Sequence, residues 1–121
     1  MTVAKITHLG VKNNLMRAEF LAGAQGLPGF HNRIVTTPGI LALTKTDANI
    51  RQLLQDILEF REEDFTDDEA GNRNRFTVQY EHTTVLCFID NWDLELAYGS
   101  KEPLNDAKTT RVLNILLPEE Y

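Results

Sequence analysis

Three carboxylates crowd one short stretch, Asp90, Asp93 and Glu95, and they are the side chains of this chain best suited by type to do chemistry. Carboxylates that converge can hold a hard cation or move a proton. The spacing argues for a milder reading. On a strand Asp93 and Glu95 share one face while Asp90 sits across a turn, and no EF-hand order with its glycine and closing glutamate is present. A solvated strand face with a turn-forming aspartate therefore outranks a cation or acid-base site. His82 and Arg111 are the groups that such a site would recruit.

Nucleophilic catalysis requires an activated hydroxyl or thiol beside a base. Ser100, the only serine, follows Gly99 in a loop, where a hydroxyl ordinarily caps a turn. Cys87, the only cysteine, lies mid-strand and reads as a small buried hydrophobe. His8, His31 and His82 are scattered and Cys87 has no cysteine partner, so zinc-ligand spacing is absent. The sequence assigns no catalytic residue, no metal ligand and no cofactor.

A second feature is electrostatic. Between Arg61 and Ala70 stand Glu62, Glu63, Asp64, Asp67, Asp68 and Glu69, which concentrate most of the chain's net charge of -6 in one loop, 61–70. Charge runs of this kind commonly serve as solvated surface. The sharper expectation is a negative patch that meets a basic partner, with Asp64, Asp67, Asp68 and Glu69 supplying charge and Phe60 or Phe65 an apolar anchor. The same phenylalanines can instead dock the loop onto the core.

Composition sets the frame. A chain of 121 residues with 42% hydrophobic and 25% charged residues is long enough to bury one core, so residues 1–121 are read as a single domain. The acidic balance disfavours direct binding to phosphate backbones. One cysteine excludes an intramolecular disulfide and fits a reducing compartment. The start of the chain opens no long apolar run, so neither a signal peptide nor a membrane span is read there, and a cytoplasmic protein is expected.

The elements that must position these residues follow from periodicity. A first helix is expected over 14–25, with Met16, Phe20 and Ala24 at fourfold spacing. Arg33 to Thr37 has the β-branched content of a short strand, Pro38-Gly39 reads as a type II turn, and Ile40 to Leu43 as a further extension. The strongest helix signal follows Thr46 or Asp47, where Ile50, Leu53, Leu54, Ile57 and Leu58 form one apolar face. Phe76, Val78 and Tyr80 alternate as a half-buried strand, Glu81-His82 turns the chain, and Thr84 to Ile89 is apolar on both faces, as a central strand is. Asp90-Asn91 is read as the next turn, leading into a strand in which Trp92, Leu94, Leu96 and Tyr98 face the core. Thr110 to Leu117 supplies the last strand. The expected fold is α+β: two helices packed on an antiparallel meander of four or five strands.

The order Thr37-Pro38-Gly39-Ile40, Phe60, Phe65-Thr66-Asp67-Asp68, Ile89-Asp90-Asn91-Trp92-Asp93, Tyr98-Gly99-Ser100, Thr110-Arg111-Val112-Leu113 and Glu119-Glu120-Tyr121 resembles a small bacterial family, domain-of-unknown-function family 3768. The resemblance covers roughly 13–121. It implies an origin in proteobacterial genomes and mobile elements. Members of that family carry an acid-His-Asp-Phe-Gly stretch ahead of the strand that begins here at Phe76. This chain reads Asn72-Arg73-Asn74-Arg75-Phe76-Thr77 instead, so no catalytic or metal role is carried over to it.

The leading expectation is a non-catalytic, acidic interaction or regulatory module, encoded by a mobile element, that contacts a basic protein partner such as a nucleic-acid-binding or defence protein. The first alternative is an enzyme or metal-dependent module built on Asp90, Asp93 and Glu95. The second is a structural homo-oligomer, a homodimer formed through a sheet face or an edge strand.

Overall fold

The computed structural model describes residues 6–65, 68 and 70–121. Thr7 opens the first helix: its backbone is extended, its Oγ1 accepts a hydrogen bond from the Gly10 N–H at 3.0 Å, and α1 runs His8–Leu21. Periodicity places that helix later, over 14–25. The difference arises on its inner face, where Asn13 and Arg17 are buried beside Met16, so apolar spacing is silent over the first turns. Gly10 is required where α1 crosses the chain at Gly71. A Cβ there would collide with the Gly71 carbonyl, which also accepts from the Thr7 N–H at 2.9 Å.

Pro38-Gly39 and Ile40 to Leu43 are neither turn nor extended chain; both belong to α2 (Pro38–Thr44). Thr37 caps this helix by accepting from the Ile40 N–H at 3.4 Å, and Pro38 takes the first helical position, where its missing N–H leaves no bond unmade. Lys45, at φ 67°, breaks the path, and Thr46 starts α3 (Asp47–Leu58) by accepting from the Asn49 N–H at 3.1 Å. α3 follows its periodicity. Leu53 and Ile57 are buried, Ile50, Leu54 and Leu58 half-buried, and Arg51, Gln52, Gln55, Asp56 and Glu59 exposed.

Among the described residues the sheet has four strands, β1 (Arg33–Thr36), β2 (Arg75–Tyr80), β3 (Thr83–Trp92) and β4 (Thr110–Leu116), in the spatial order β1-β4-β3-β2. β2 and β3 form a hairpin around Glu81-His82, with Phe76 opposite Cys87 and Val78 opposite Val85. β3 runs antiparallel to β4, with Cys87 opposite Ile115 and Ile89 opposite Leu113. β1 lies parallel to β4, with Ile34 opposite Leu113. The α+β class stands, but among the described residues three α-helices accompany a mixed sheet where two helices on an antiparallel meander are expected.

Two further corrections fall at the end of β3. Asp90 and Asn91 do not turn the chain, because Val112 and Arg111 stand opposite them and carry the ladder on to Trp92. The alternation of Trp92, Leu94, Leu96 and Tyr98 is not a strand either. Beyond Trp92 the chain coils, Leu96 takes φ 58°, and Gly99 returns to bridge Trp92. Leu94, Leu96 and Tyr98 are therefore exposed instead of facing the core.

Phe76, Val85, Cys87, Ile89, Leu113 and Ile115 alternate onto one face of the sheet and close with Met16, Ile40, Leu53 and Ile57 of the helices into one core. Truncating any of the larger aliphatic members to alanine costs about 2–5 kcal/mol. On the reverse face Tyr121 meets Phe88 edge-on at 5.7 Å, and the Arg75 guanidinium lies 4.7 Å from the Tyr121 ring. Among the described residues no helix is long and apolar enough to cross a membrane.

Candidate functional site

The fold separates the three carboxylates. Asp90 is half-buried on the sheet face opposite the helices, where Asn114 Nδ2 donates to it at 3.3 Å. Burial raises its pKa, and the Asn114 bond opposes that rise. Asp93 points its carboxylate at the chain that follows, accepting from the N–H of Ala97 at 3.0 Å and of Tyr98 at 3.3 Å. It is a turn cap. Glu95 is exposed on that turn, His82 stands at the opposite end of β3, and Arg111 is on the helix-facing side of β4 with Leu113 and Ile115. These groups do not converge. Among the described residues no three His, Cys, Asp or Glu side chains are grouped to hold a metal ion.

Ser100 and Cys87 are equally occupied. Thr109 Oγ1 donates to the Glu102 carbonyl at 2.8 Å, so the 2.8 Å contact between the two hydroxyls uses the Ser100 proton, and the Ser100 oxygen accepts from the Glu102 N–H at 3.2 Å. Burial pushes the Cys87 thiol up to about 12, against a small opposing pull from Arg17, so near neutral pH it carries its proton and is a poor nucleophile.

The result of these bonds is a braced loop between β3 and β4. The Ser100 N–H donates to the Asn91 carbonyl at 2.9 Å, and Asp93 closes the turn at one end. Arg111, only 2% exposed, donates through Nη2 to the Pro103 carbonyl at 2.7 Å and pairs with Asp106 at 3.0 Å. Burial lowers the Arg111 pKa, while Asp106 and Glu19 oppose the fall. Asp106 also takes Lys12 of α1 at 2.9 Å, and Lys108 meets Glu102 at 3.0 Å. On the outside of this scaffold Leu94, Leu96, Tyr98 and Leu104 face solvent, Tyr98 at 77% exposure.

The acidic segment is tied down from within. Arg73, 1% exposed, donates from Nε to both Glu62 oxygens at 2.9 and 3.0 Å and from Nη1 to Asp68 at 2.7 Å, and its Nη2 also meets Glu62. The Arg73 bond is the main reason that the Glu62 pKa is lowered, and it raises that of Arg73 in return. Arg17 donates to the Phe60 carbonyl and, at 2.7 Å, to Asn14, with its guanidinium 5.3 Å from the Phe65 ring and 5.2 Å from Phe76. Burial pulls it down to about 10. Phe60 stacks on Phe76 at 4.4 Å with Phe65 edge-on, so both phenylalanines dock the segment onto the core. Of the acids expected to face a partner, Asp64 is exposed beside Arg61 at 3.6 Å and Asp68 is held by Arg73. Asp67 and Glu69 lie outside the described residues.

A third constellation joins positions far apart in the chain. The Glu120 carboxylate accepts from Thr37 Oγ1 at 2.6 Å, the Gly39 N–H at 3.1 Å and the Leu117 N–H at 3.0 Å, and these bonds, that of Thr37 first, lower its pKa. A Cβ on residue 39 would collide with that carboxylate, so Gly39 keeps the space open. Thr37, Pro38 and Gly39 thus work with Glu120 as one clasp over the start of α2.

A family model described as "Protein of unknown function (DUF3768)" matches residues 36–120. The chain belongs to the DUF3768 family. No curated protein and no solved structure matches it. The span matched to DUF3768 contains both halves of the clasp, the acidic segment with Arg73 and the whole braced loop, while α1 precedes it. Arg73 lies in the stretch where this DUF3768 chain reads Asn72-Arg73-Asn74-Arg75, and its task is to anchor Glu62 and Asp68.

Sequence reasoning missed two of the buried arginines, Arg17 and Arg73, and the role of Asp106. A signal for Arg111 was present: position 111 has the parity of Leu113 and Ile115, which assigns it to the inner face of β4. For Arg73 the cue was the run of acids just before it, which a nearby base can neutralise.

Proposed function

We propose that this DUF3768 member is a non-catalytic interaction module, carried by a mobile element, that engages a basic protein partner such as a nucleic-acid-binding or defence protein. The observation that supports it best is the braced loop between β3 and β4. Its backbone is fixed from behind by Asp93, Ser100, Thr109 and Arg111, yet it turns Leu94, Leu96, Tyr98 and Leu104 outward, and Leu96 holds a positive φ to do so. Strain retained at an exposed apolar residue is a mark of a contact site. Tyrosine is a residue type enriched among binding anchors, and Tyr98 is 77% exposed. Asp64, exposed in the acidic segment, supplies charge to steer a basic surface towards the molecule.

The test is capture of partners from native extract by the tagged chain at low and high salt, alongside Tyr98→Ala and Asp64→Lys variants. One protein retained in stoichiometric amount, reduced about tenfold or more by Tyr98→Ala and made salt-insensitive by Asp64→Lys, supports the reading. Equal retention by wild type and both variants overturns it. Recovery of the chain alone, with a mass that rises with concentration, favours the homo-oligomer instead.

A further inference from the structure

Among the described residues the helices cover one face of the sheet only. On the other face the inner strands β3 and β4 present Leu86, Phe88, Trp92, Val112 and Leu116, where a face left to water would be mostly polar. Tyr121 lies against Phe88 at one end. Phe88 and Trp92 nonetheless stay half-buried, and Val35 on the same face of β1 is 47% exposed.

Two opposite charges stand on that surface in one row. Asp90 of β3 is paired in register with Val112 of β4, and Arg33 of β1 is paired with the same Val112 from the other side. Acid and base are thus two strand spacings apart, about 10 Å. Among the described residues neither has an ion pair: Arg33 is exposed, and the half-buried Asp90 accepts only from Asn114 Nδ2 at 3.3 Å. Burial raises the pKa of Asp90, as it does for a carboxylate short of a cation. The next row repeats the arrangement with apolar groups, Phe88 on β3 and Val35 on β1 flanking Asn114 of β4.

A partner of one sign fits this face poorly, because whatever Asp90 attracts Arg33 repels. A second copy of the chain fits it. Half a turn about an axis along β4 lays β4 over β4 and β3 over β1 of the other copy, without shifting the rows. Each Asp90 then meets the other copy's Arg33, and each Phe88 the other copy's Val35. Interfaces with two-fold symmetry are built from such reciprocal pairs. Sheets pack face to face about 10 Å apart, a gap that an arginine and an aspartate span together.

We infer that two copies of this chain associate through the helix-free face of the sheet, Asp90 of each pairing with Arg33 of the other across an axis along β4. Val35 packs on Phe88 and Tyr121 beside these pairs. The interface is separate from the outward face of Leu94, Leu96 and Tyr98, and it stands whether or not that face has a partner.

The experiment is sedimentation equilibrium of the full chain, of Arg33→Glu, Asp90→Arg and Tyr98→Ala, and of Arg33→Glu mixed with Asp90→Arg in equal amounts. The wild-type mass rises with concentration from that of one chain to that of two. Arg33→Glu sets acid against Asp90, and Asp90→Arg sets base against Arg33, so each alone weakens association about tenfold or more. The mixture recovers it, because each variant meets its complement in both pairs. Tyr98→Ala leaves the mass unchanged, which separates this interface from the braced loop. Arg33→Glu is an exposed change on an edge strand, so it decides by itself if Asp90→Arg does not fold. The inference is overturned if wild type stays a single chain up to about 1 mM, if Arg33→Glu associates as wild type does, or if two folded variants fail to associate on mixing.

Discussion

Replacing Arg73 with methionine removes a guanidinium that is 1% exposed and holds two carboxylates at once, while its apolar stem keeps the space filled. Breaking a fully buried pair from one side costs about 3–5 kcal/mol because the remaining charge is stranded. The two partners among the described residues differ. The Glu62 side chain is 46% exposed and rehydrates freely, whereas Asp68 is only 12% exposed and does not. One stranded carboxylate sets the loss at about 2–3 kcal/mol. For a domain of this size that lowers the melting temperature by about 8–12 °C. Thermal unfolding followed by circular dichroism reads the shift, and the double variant Arg73→Met, Asp68→Asn recovers about half of it by removing the stranded charge. The acid limb gives an independent check. The folded pKa of Glu62 lies below its ordinary value, so its contribution is present above that ordinary value and is lost as pH falls through the folded one. Arg73→Met flattens this limb. A shift below about 3 °C, or additive effects of the two substitutions, would refute the claim that Arg73 anchors the acidic segment.

The clasp behaves in the same sense at acid pH: Glu120→Gln removes the stability that wild type loses as the lowered carboxylate protonates, and Gly39→Ala, by pushing Glu120 aside, produces the same loss, with no further effect when combined. Unfolding curves of the three variants across acid pH show this directly. Cys87 acts at the other end of the scale. Its folded pKa is raised from 9.0 to about 12, so stability is full below the unfolded value and falls as pH rises through that window, by about 4 kcal/mol at the limit. Cys87→Val lacks this part of the alkaline slope, and the native thiol resists a disulfide reagent at pH 8 until denaturant is added. Leu96→Gly relieves the positive φ at an exposed site, stabilises the chain by about 1 kcal/mol in urea titration, and weakens partner binding at the braced loop.

The elements most legible in the sequence were those whose burial is purely apolar. Ile50, Leu53, Leu54, Ile57 and Leu58 define α3 and Thr84 to Ile89 the centre of β3 because hydrophobic period alone specifies them. α1 was displaced because Asn13 and Arg17, polar residues with internal partners, occupy its inner face. α2 was hidden because a Thr-Pro-Gly order serves a turn and a capped helix start alike, and the Glu120 that steadies it is remote in sequence. The alternation from Trp92 to Tyr98 misled for a related reason: Asp93 folds its carboxylate over the following amides, a local bond that overrides a period of two. The candidate site was legible only as residue types. That Phe60 and Phe65 face inward, and that Arg73 rather than solvent receives Asp68, follows from contacts that no spacing rule encodes.

The place of β4 between β1 and β3 also governs the order in which the molecule can assemble. Arg33 must wait for Val112, and Thr37 for Glu120, whereas the β2–β3 hairpin can close as soon as it exists. Contacts this distant along the chain slow folding. On the ribosome β1 therefore emerges early and remains without its sheet neighbour until the last strand appears, with Ile34 uncovered in the interval and α2 still lacking its bonds to Glu120. Synthesis and packing run in opposite directions here, so cellular yield should respond more to chaperone supply during translation than to conditions applied to the finished protein.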